Sequence, residues 1–451
     1  MPTRDPEDEY DRQSRAFPGV DSVMGRRVVV TGIGILTPLG AGTSEHWAGL
    51  LAGRSGVSRL DRLTRLGYPV DVAAEVPAPV VAGCLKRLPR KQLKLYNRAT
   101  TFAMTAASLA AEDAGISAPV PDGARAGVIL ATLFIPYPIQ SLLQLLPELE
   151  APENHGQLDM GKALKQCAGR VNPLDLSLKI VPNLTAGHIA IHYGLRGACR
   201  TVADGWTGGL HAIDQAMGAI RDGELDLAFT GGTECPLEDL VFADLCATDL
   251  LSPPTPDPER TCRPFGMGRQ GTVAGEGAAI LVLEAHEHAV ARGARVRAEV
   301  LSFGAATGNL TPAGVRDSVC RAMRSALAEG QRSDVAAVSL HGDGSRLNDL
   351  GEGLALQAMS EAWGKPPSVY ATKGAHGNLF SAAGPLEVAG AIIALENESV
   401  PPSRNCDAPD PACGLSPTAD GPRPLTRGGA VMVNAVGAFG ESASLMVARV
   451  S

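Results

Sequence analysis

The 451-residue sequence is 45% hydrophobic and 20% charged, the balance of a globular chain long enough for two or three domains or one large duplicated unit. Its formal charge of −8 argues against a nucleic-acid or anionic-membrane binder, and the lack of an apolar run of about 18 residues argues against a transmembrane helix. Aromatic residues make up only 4%, so the interior is expected to be aliphatic and alanine-based.

Residues 1–25, MPTRDPEDEYDRQSRAFPGVDSVMG, are polar and have no apolar h-region. They read as a flexible extension and not as a signal peptide, which makes a cytoplasmic location the expectation. RRVVVTGIGILTPLG (26–40) predicts a buried strand feeding a loop, and Ser44 caps a short helix. A second, alanine-rich helix follows over 98–114, then a strand over 125–134. GACRTVADG predicts a strand and TGGLHAIDQAMGAIRDG a helix, with the strands of LDLAFTGGTE and GAAILVLEA closing the first half. After about Ala298 the pattern restarts. The helix RDSVCRAMRSALAEG, the strand VAAVSLHGDGS, the helix LGEGLALQAMSEAWG, the strand SVYATKGAHGN, the helix GPLEVAGAIIALENE and a closing hairpin complete it. Such alternation predicts α/β architecture with largely parallel sheets. The restart suggests a duplication with halves at 26–285 and 286–451. The strand ends at Gly205, His341 and Lys373 would then converge on one site at the carboxyl ends of the strands.

Nine cysteines form no CxxC pair and no Cys/His cluster, so reduced, mostly buried thiols and no metal are expected. Cys406 and Cys413 flank a proline-rich loop but read as a free pair. His188 and His192 have i, i+4 spacing without a third ligand and read as packing or interface residues. The bends TGIG and AGEGA have no Lys-Ser/Thr and are not phosphate loops. The basic run Lys86–Arg98 reads equally as a solvated face and as a surface for an acidic partner. In TVADGWTGGLHAI a strand runs into a glycine-lined bend and a helix, a geometry that exposes a small nucleophile. The residue on the bend is Trp206.

Five stretches in order carry a resemblance: VVVTGIGILTPLG, RPFGMGRQGTVAGEGAAILVLE, SLHGDGSRLNDLGE, ATKGAHGNLFSAAG and NAVGAFGESASLMV. Together, over roughly Arg26 to Val450, the sequence resembles the β-ketoacyl synthase family. The resemblance implies a thiolase-like fold, duplicated α/β halves stacked as a five-layer αβαβα sandwich. In that family a Cys at a helix start takes up an acyl chain as a thioester, and two histidines promote decarboxylation of malonyl-carrier protein. Matching residues puts Trp206 in the nucleophile's slot and His341 at the first histidine. Glu352 falls on the glutamate, expected to pair with Lys373 at the lysine, and Asn378 falls on the second histidine. The closing loop, with Gly437, Phe439 and Gly440, is similar to the family's gating loop. Glu441 stands where a second Gly is usual, which stiffens the hinge, and Asp343 stands where a Thr is expected and would repel an incoming phosphate or malonyl group.

A synthase fold without its Cys resembles the chain-length-factor (KSβ) subunits of type II polyketide synthases, although their usual replacement is Gln. The resemblance implies a non-condensing subunit in type II polyketide, polyene or fatty-acid-like biosynthesis, paired as a heterodimer with a Cys-bearing ketosynthase. No bound cofactor is implied; acyl groups would arrive on the phosphopantetheine of an acyl carrier protein. Phe134, Tyr137, Ile139, Gln140 and Leu143 would then form the floor of the partner's acyl tunnel, and the strand containing Cys199 would pair across the interface. Two other readings stand: a carrier-protein-dependent decarboxylase or atypical acyltransferase using His341, Lys373 and Asn378, and a structural homodimer or scaffold.

Overall fold

The computed structural model describes residues 25–134, 136–149, 159–363 and 366–450; the expected N-terminal extension lies outside them. The first half contains β1 (Val28–Thr37), α1 (Arg98–Ala114), β2 (Ala126–Ala131), α2 (Ile139–Leu149), α3 (Asn183–Tyr193), β3 (Cys199–Val202), α4 (Gly208–Arg221), β4 (Leu227–Glu234) and β5 (Gly277–Ala285). The second contains β6 (Ala298–Thr307), α5 (Pro312–Gly330), β7 (Val335–Ser339), α6 (Arg346–Ala358), β8 (Ser368–Tyr370), α7 (Ala383–Asn397), β9 (Ala430–Val436) and β10 (Glu441–Ala448).

The strand order is β3-β2-β4-β5-β1-β6-β10-β9-β7-β8. Each half therefore repeats one order of its own five strands, third, second, fourth, fifth, first, counted inward from its edge. The two first strands meet antiparallel at the middle, through Val28–Val30 and Ala298–Val300. Within each half two pairings are parallel and two antiparallel, so the expectation of largely parallel sheets is corrected. The cause is burial. Strands β1, β4, β5 and β9 are covered on both faces throughout their length, so they show the continuous apolar runs otherwise typical of parallel strands.

The layers follow from helix composition. In α7 every residue from Ala383 to Leu395 is buried, as expected of a helix apolar all round. It packs with α4 between the two halves of this sheet in a cluster that includes Leu210, Ile213, Ile392, Leu281 and Val433. Helices α1 and α3 cover one outer face, and α5 and α6 the other. The result is the five-layer αβαβα, thiolase-like arrangement. Asn97 caps α1 by accepting the Thr100 N–H at 2.7 Å. The alanine-rich α1 lies so close to β1 that a Cβ at Gly34 would sit 1.8 Å from the Ala106 carbonyl oxygen, which explains the glycines of TGIG. No helix among the described residues is long and apolar enough to cross a membrane.

Candidate functional site

The carboxyl ends of β3, β7 and β8 converge as the alternating pattern requires. After β3 the chain makes one tight turn, Gly205–Thr207, before α4. Gly205 has φ +55°, a left-handed value that glycine adopts without strain. Trp206, on that turn, is only 4% exposed. Its indole lies 5.2 Å from the Phe380 ring, edge to face at 76°, and Phe380 in turn meets Phe134 edge to face at 5.0 Å. Leu237, Phe242, Leu245 and Leu251 complete this cluster. On another side the indole lies 6.2 Å from the His341 ring, the planes 30° apart.

His341 follows β7 and is buried. Its N–H donates to Glu352 Oε1 at 2.9 Å and the Gly342 N–H to Oε2 at 3.1 Å. The Asn434 side chain donates to the same carboxylate at 3.1 Å. Burial pushes Glu352 up from its ordinary value, against the pull of these donors. The imidazole is held differently: both ring nitrogens lack a hydrogen-bond partner among the described residues, although Nε2 stands 3.4 Å from Asp343 Oδ2.

Lys373 follows β8, and its Nζ donates to the His341 carbonyl at 2.6 Å and to Glu387 Oε1 at 3.3 Å. The expected Lys373–Glu352 pair is thus corrected: Glu352 is taken up by the His341–Gly342 backbone, and Glu387 from α7 neutralises the lysine. A lone Glu in the otherwise apolar GPLEVAGAII was the available signal, because a buried carboxylate needs a partner. Asn378 accepts the Phe380 N–H at 2.9 Å through Oδ1, while its Nδ2 is buried without a partner among the described residues. Trp206, His341, Lys373, Glu352 and Asn378 therefore belong to one linked buried group.

Other expectations divide. The Asp343 carboxylate is turned inward. It is fully buried and braces its own loop, accepting the Ser345 N–H at 2.8 Å and an N–H of the Asn348 amide at 3.3 Å. Burial opposes its charge, yet contacts with His341 and Ser345 hold it at about 2. Burial and the neighbouring Asp343 push Asp349 well up. In the closing loop Gly440 has φ +88°. Phe439 is 74% exposed and does not cover the Trp206 seat; Ala438 packs against that cluster instead.

Of the five residues expected at the tunnel floor, Phe134 turns into the Trp206 cluster. Tyr137 and Leu143 are exposed, at 53% and 52%; Gln140 is exposed and Ile139 half-buried. Glu234, at the end of β4, fixes Phe134: it accepts the Leu133 N–H at 2.5 Å and the Phe134 N–H at 3.2 Å, and the Ser381 hydroxyl donates to it. Burial raises it to about 8. Nothing in the sequence singled out Glu234 or Phe380.

All nine cysteines are free. Cys199 lies exposed on the edge strand β3, and partial desolvation by its neighbours raises its thiol, the wrong direction for a nucleophile. His188 packs edge-on to Tyr96 at 4.8 Å and His192 to Tyr193 at 4.8 Å, in line with the packing role.

The duplicated halves, the two central helices and the turn before α4 define a thiolase-like ketosynthase fold. Residues 25–289 match the β-ketoacyl synthase N-terminal domain and residues 293–407 its C-terminal domain. The chain belongs to the β-ketoacyl synthase family. It is 30% identical over 436 residues to 3-oxoacyl-[acyl-carrier-protein] synthase 2 of Coxiella burnetii, covering 94% of this chain and 99% of that one. It is 33% identical over 402 residues to a putative polyketide β-ketoacyl synthase 1 of Streptomyces halstedii, covering 87% and 91%. Among solved structures, the ishigamide ketosynthase/chain length factor superposes with a TM-score of 0.77 at 29% identity, over 95% of this chain and 100% of that one. A ketosynthase complex of a type II polyketide synthase with its acyl-carrier protein superposes with 0.78 at 27% identity, over the same shares.

Proposed function

We propose that this chain is a non-condensing ketosynthase-family subunit of the chain-length-factor kind. On this reading it pairs with a Cys-bearing ketosynthase in type II polyketide, polyene or fatty-acid-like biosynthesis and shapes the acyl tunnel of that partner. One observation supports the reading: an indole, buried against Phe380 and His341, stands where the family resemblance expects the nucleophile, and no rotamer or protonation change gives it the chemistry of a thiolate.

The surface supports a partner. Strand β3 is a sheet edge with Cys199 and Arg200 exposed, and an open edge is a template for another strand. Exposed apolar side chains belong to the same half: Ile191 at 72% on α3, Leu143 and Leu146 on α2, and Tyr137 before it. The chain-length-factor complex that superposes on this chain supports a heterodimer. The carrier-protein complex supports acyl delivery on phosphopantetheine, and the exposed Lys86, Arg90, Lys91 and Lys94 offer charge complementary to an acidic carrier protein. Co-expression with a Cys-bearing ketosynthase tests the reading. A stable complex whose product mass distribution depends on this chain is expected; products unchanged without it would refute the role.

The unpartnered His341 nitrogens and Asn378 Nδ2 favour a second reading, carrier-protein-dependent decarboxylation. One imidazole N–H and the Asn378 amide are donors of the kind an enolate oxygen would use. Carbon dioxide released from malonyl-carrier protein by the isolated chain, and abolished in His341→Ala, would establish it.

A further inference from the structure

The seat of Trp206 holds a second occupant. Glu441 is the first residue of β10, and its side chain folds back over the closing loop. Its Oε2 accepts the Phe439 N–H at 2.9 Å, and its Oε1 accepts the Trp206 N–H at 3.4 Å. These donors come from separate elements, the turn before α4 and the β9–β10 loop, and they converge on one carboxylate. Two glycines make room for it: a Cβ at Gly205 would sit 2.3 Å from Oε1, and one at Gly437 only 1.6 Å from it. A pair of converging backbone N–H groups beside a nucleophile's position is the arrangement that holds the oxygen of a carbonyl as it gains negative charge in acyl transfer.

We infer that Glu441 is a built-in occupant of a carbonyl-oxygen site formed by the N–H groups of Trp206 and Phe439, so that the chain closes its acyl-binding position with its own carboxylate. The inference rests on the non-condensing reading and adds a second lock to it. Restoring a nucleophile leaves the oxygen site filled, and the acyl carbonyl must displace an anion before it can bind. The ligand class excluded is an acyl thioester, and a small carboxylate is its simplest surrogate.

The test compares Trp206→Cys with Trp206→Cys/Glu441→Ala and Trp206→Cys/Glu441→Gln, each given an acyl-carrier-protein thioester and read by intact mass against time. In the step measured, the new thiolate attacks the carbonyl carbon and a protein carbon–sulfur bond forms. The carbon–sulfur bond to phosphopantetheine breaks, and the leaving sulfur takes up the proton that the thiol released. The alanine double variant should acylate about 100-fold faster than Trp206→Cys, the magnitude attached to one oxyanion donor. The glutamine double variant, which still fills the cradle, should stay slow. Equal rates for Trp206→Cys and the alanine double variant, or a fast glutamine variant, would overturn the inference.

A second measurement leaves Trp206 in place. Acetate titrated into Glu441→Ala should shift the Trp206 and Phe439 amide resonances saturably and leave those of the unsubstituted protein unmoved; no saturable shift in the variant would also overturn the inference. Acylation of the unsubstituted chain would instead contradict the non-condensing reading, so the two failures are distinguishable.

Discussion

The indole of Trp206 lies 6.2 Å from the imidazole of His341 with the planes 30° apart, and neither ring nitrogen of that neighbour has a hydrogen-bond partner among the described residues. On the proposed reading, the histidine expected to act on an acyl or malonyl group faces a bulky indole. The consequences for chemistry and for stability separate.

Trp206→Cys alone is expected to give no condensing activity. The resemblance expects a second histidine where this chain has Asn378, and Glu441 still accepts the Trp206 and Phe439 N–H groups. Product formation from an acyl and a malonyl carrier protein, at rates comparable to a Cys-bearing ketosynthase, would refute this.

Trp206→Ala should destabilise the chain by about 3–5 kcal/mol, the range for truncating a large buried aromatic side chain. The indole is 4% exposed and packs among Phe380, Phe242 and Leu237. Urea unfolding measures the loss, and a change within 0.5 kcal/mol would show that the indole is not a core element.

Lys373→Met should cost about 3–5 kcal/mol, because it leaves the Glu387 carboxylate buried without its cation; the pair is 1% and 2% exposed. The double variant Lys373→Met/Glu387→Leu should recover much of that loss. A double variant less stable than Lys373→Met would contradict the pairing.

Tyr137→Ala and Leu143→Ala should change the product length of the complex while leaving stability nearly unaltered, since both side chains are exposed on the isolated chain. Phe134→Ala should act differently, lowering stability first, because its ring packs on Phe380. An unchanged product distribution in both surface variants would remove the floor role.

Glu234 gives the stability a pH dependence. Its folded value of about 8 lies above the unfolded value of about 4.3, so the folded state binds the extra proton between them. Stability from this group is complete below the unfolded value and lost as pH rises through 8. Relative to Glu234→Gln, the unsubstituted protein should lose stability between pH 5 and 8 in urea unfolding. A gap that is constant over that range would contradict the shift.

Much of this was legible because glycine and burial leave marks in sequence. The bend at Gly205, the β-branched strands and the second round of elements gave the duplication and the position of Trp206. Pairing direction was not legible, because strands covered on both faces carry no alternation to separate parallel from antiparallel. The Lys373 partner was missed for a different reason. Glu352 is close in sequence to His341, whereas Glu387 reaches the site only through the placement of α7. Phe439 shows the same limit: its motif suggested a gate, but the turn of the β9–β10 loop sends that ring to solvent, and Ala438 packs against the Trp206 cluster.

The most direct measurement is intact-mass analysis of the reconstituted complex of this chain with a Cys-bearing ketosynthase, after exposure to an acyl-carrier-protein thioester. The account predicts the acyl mass on the ketosynthase and none on this chain; an acyl adduct on this chain, with or without the companion subunit, would contradict it.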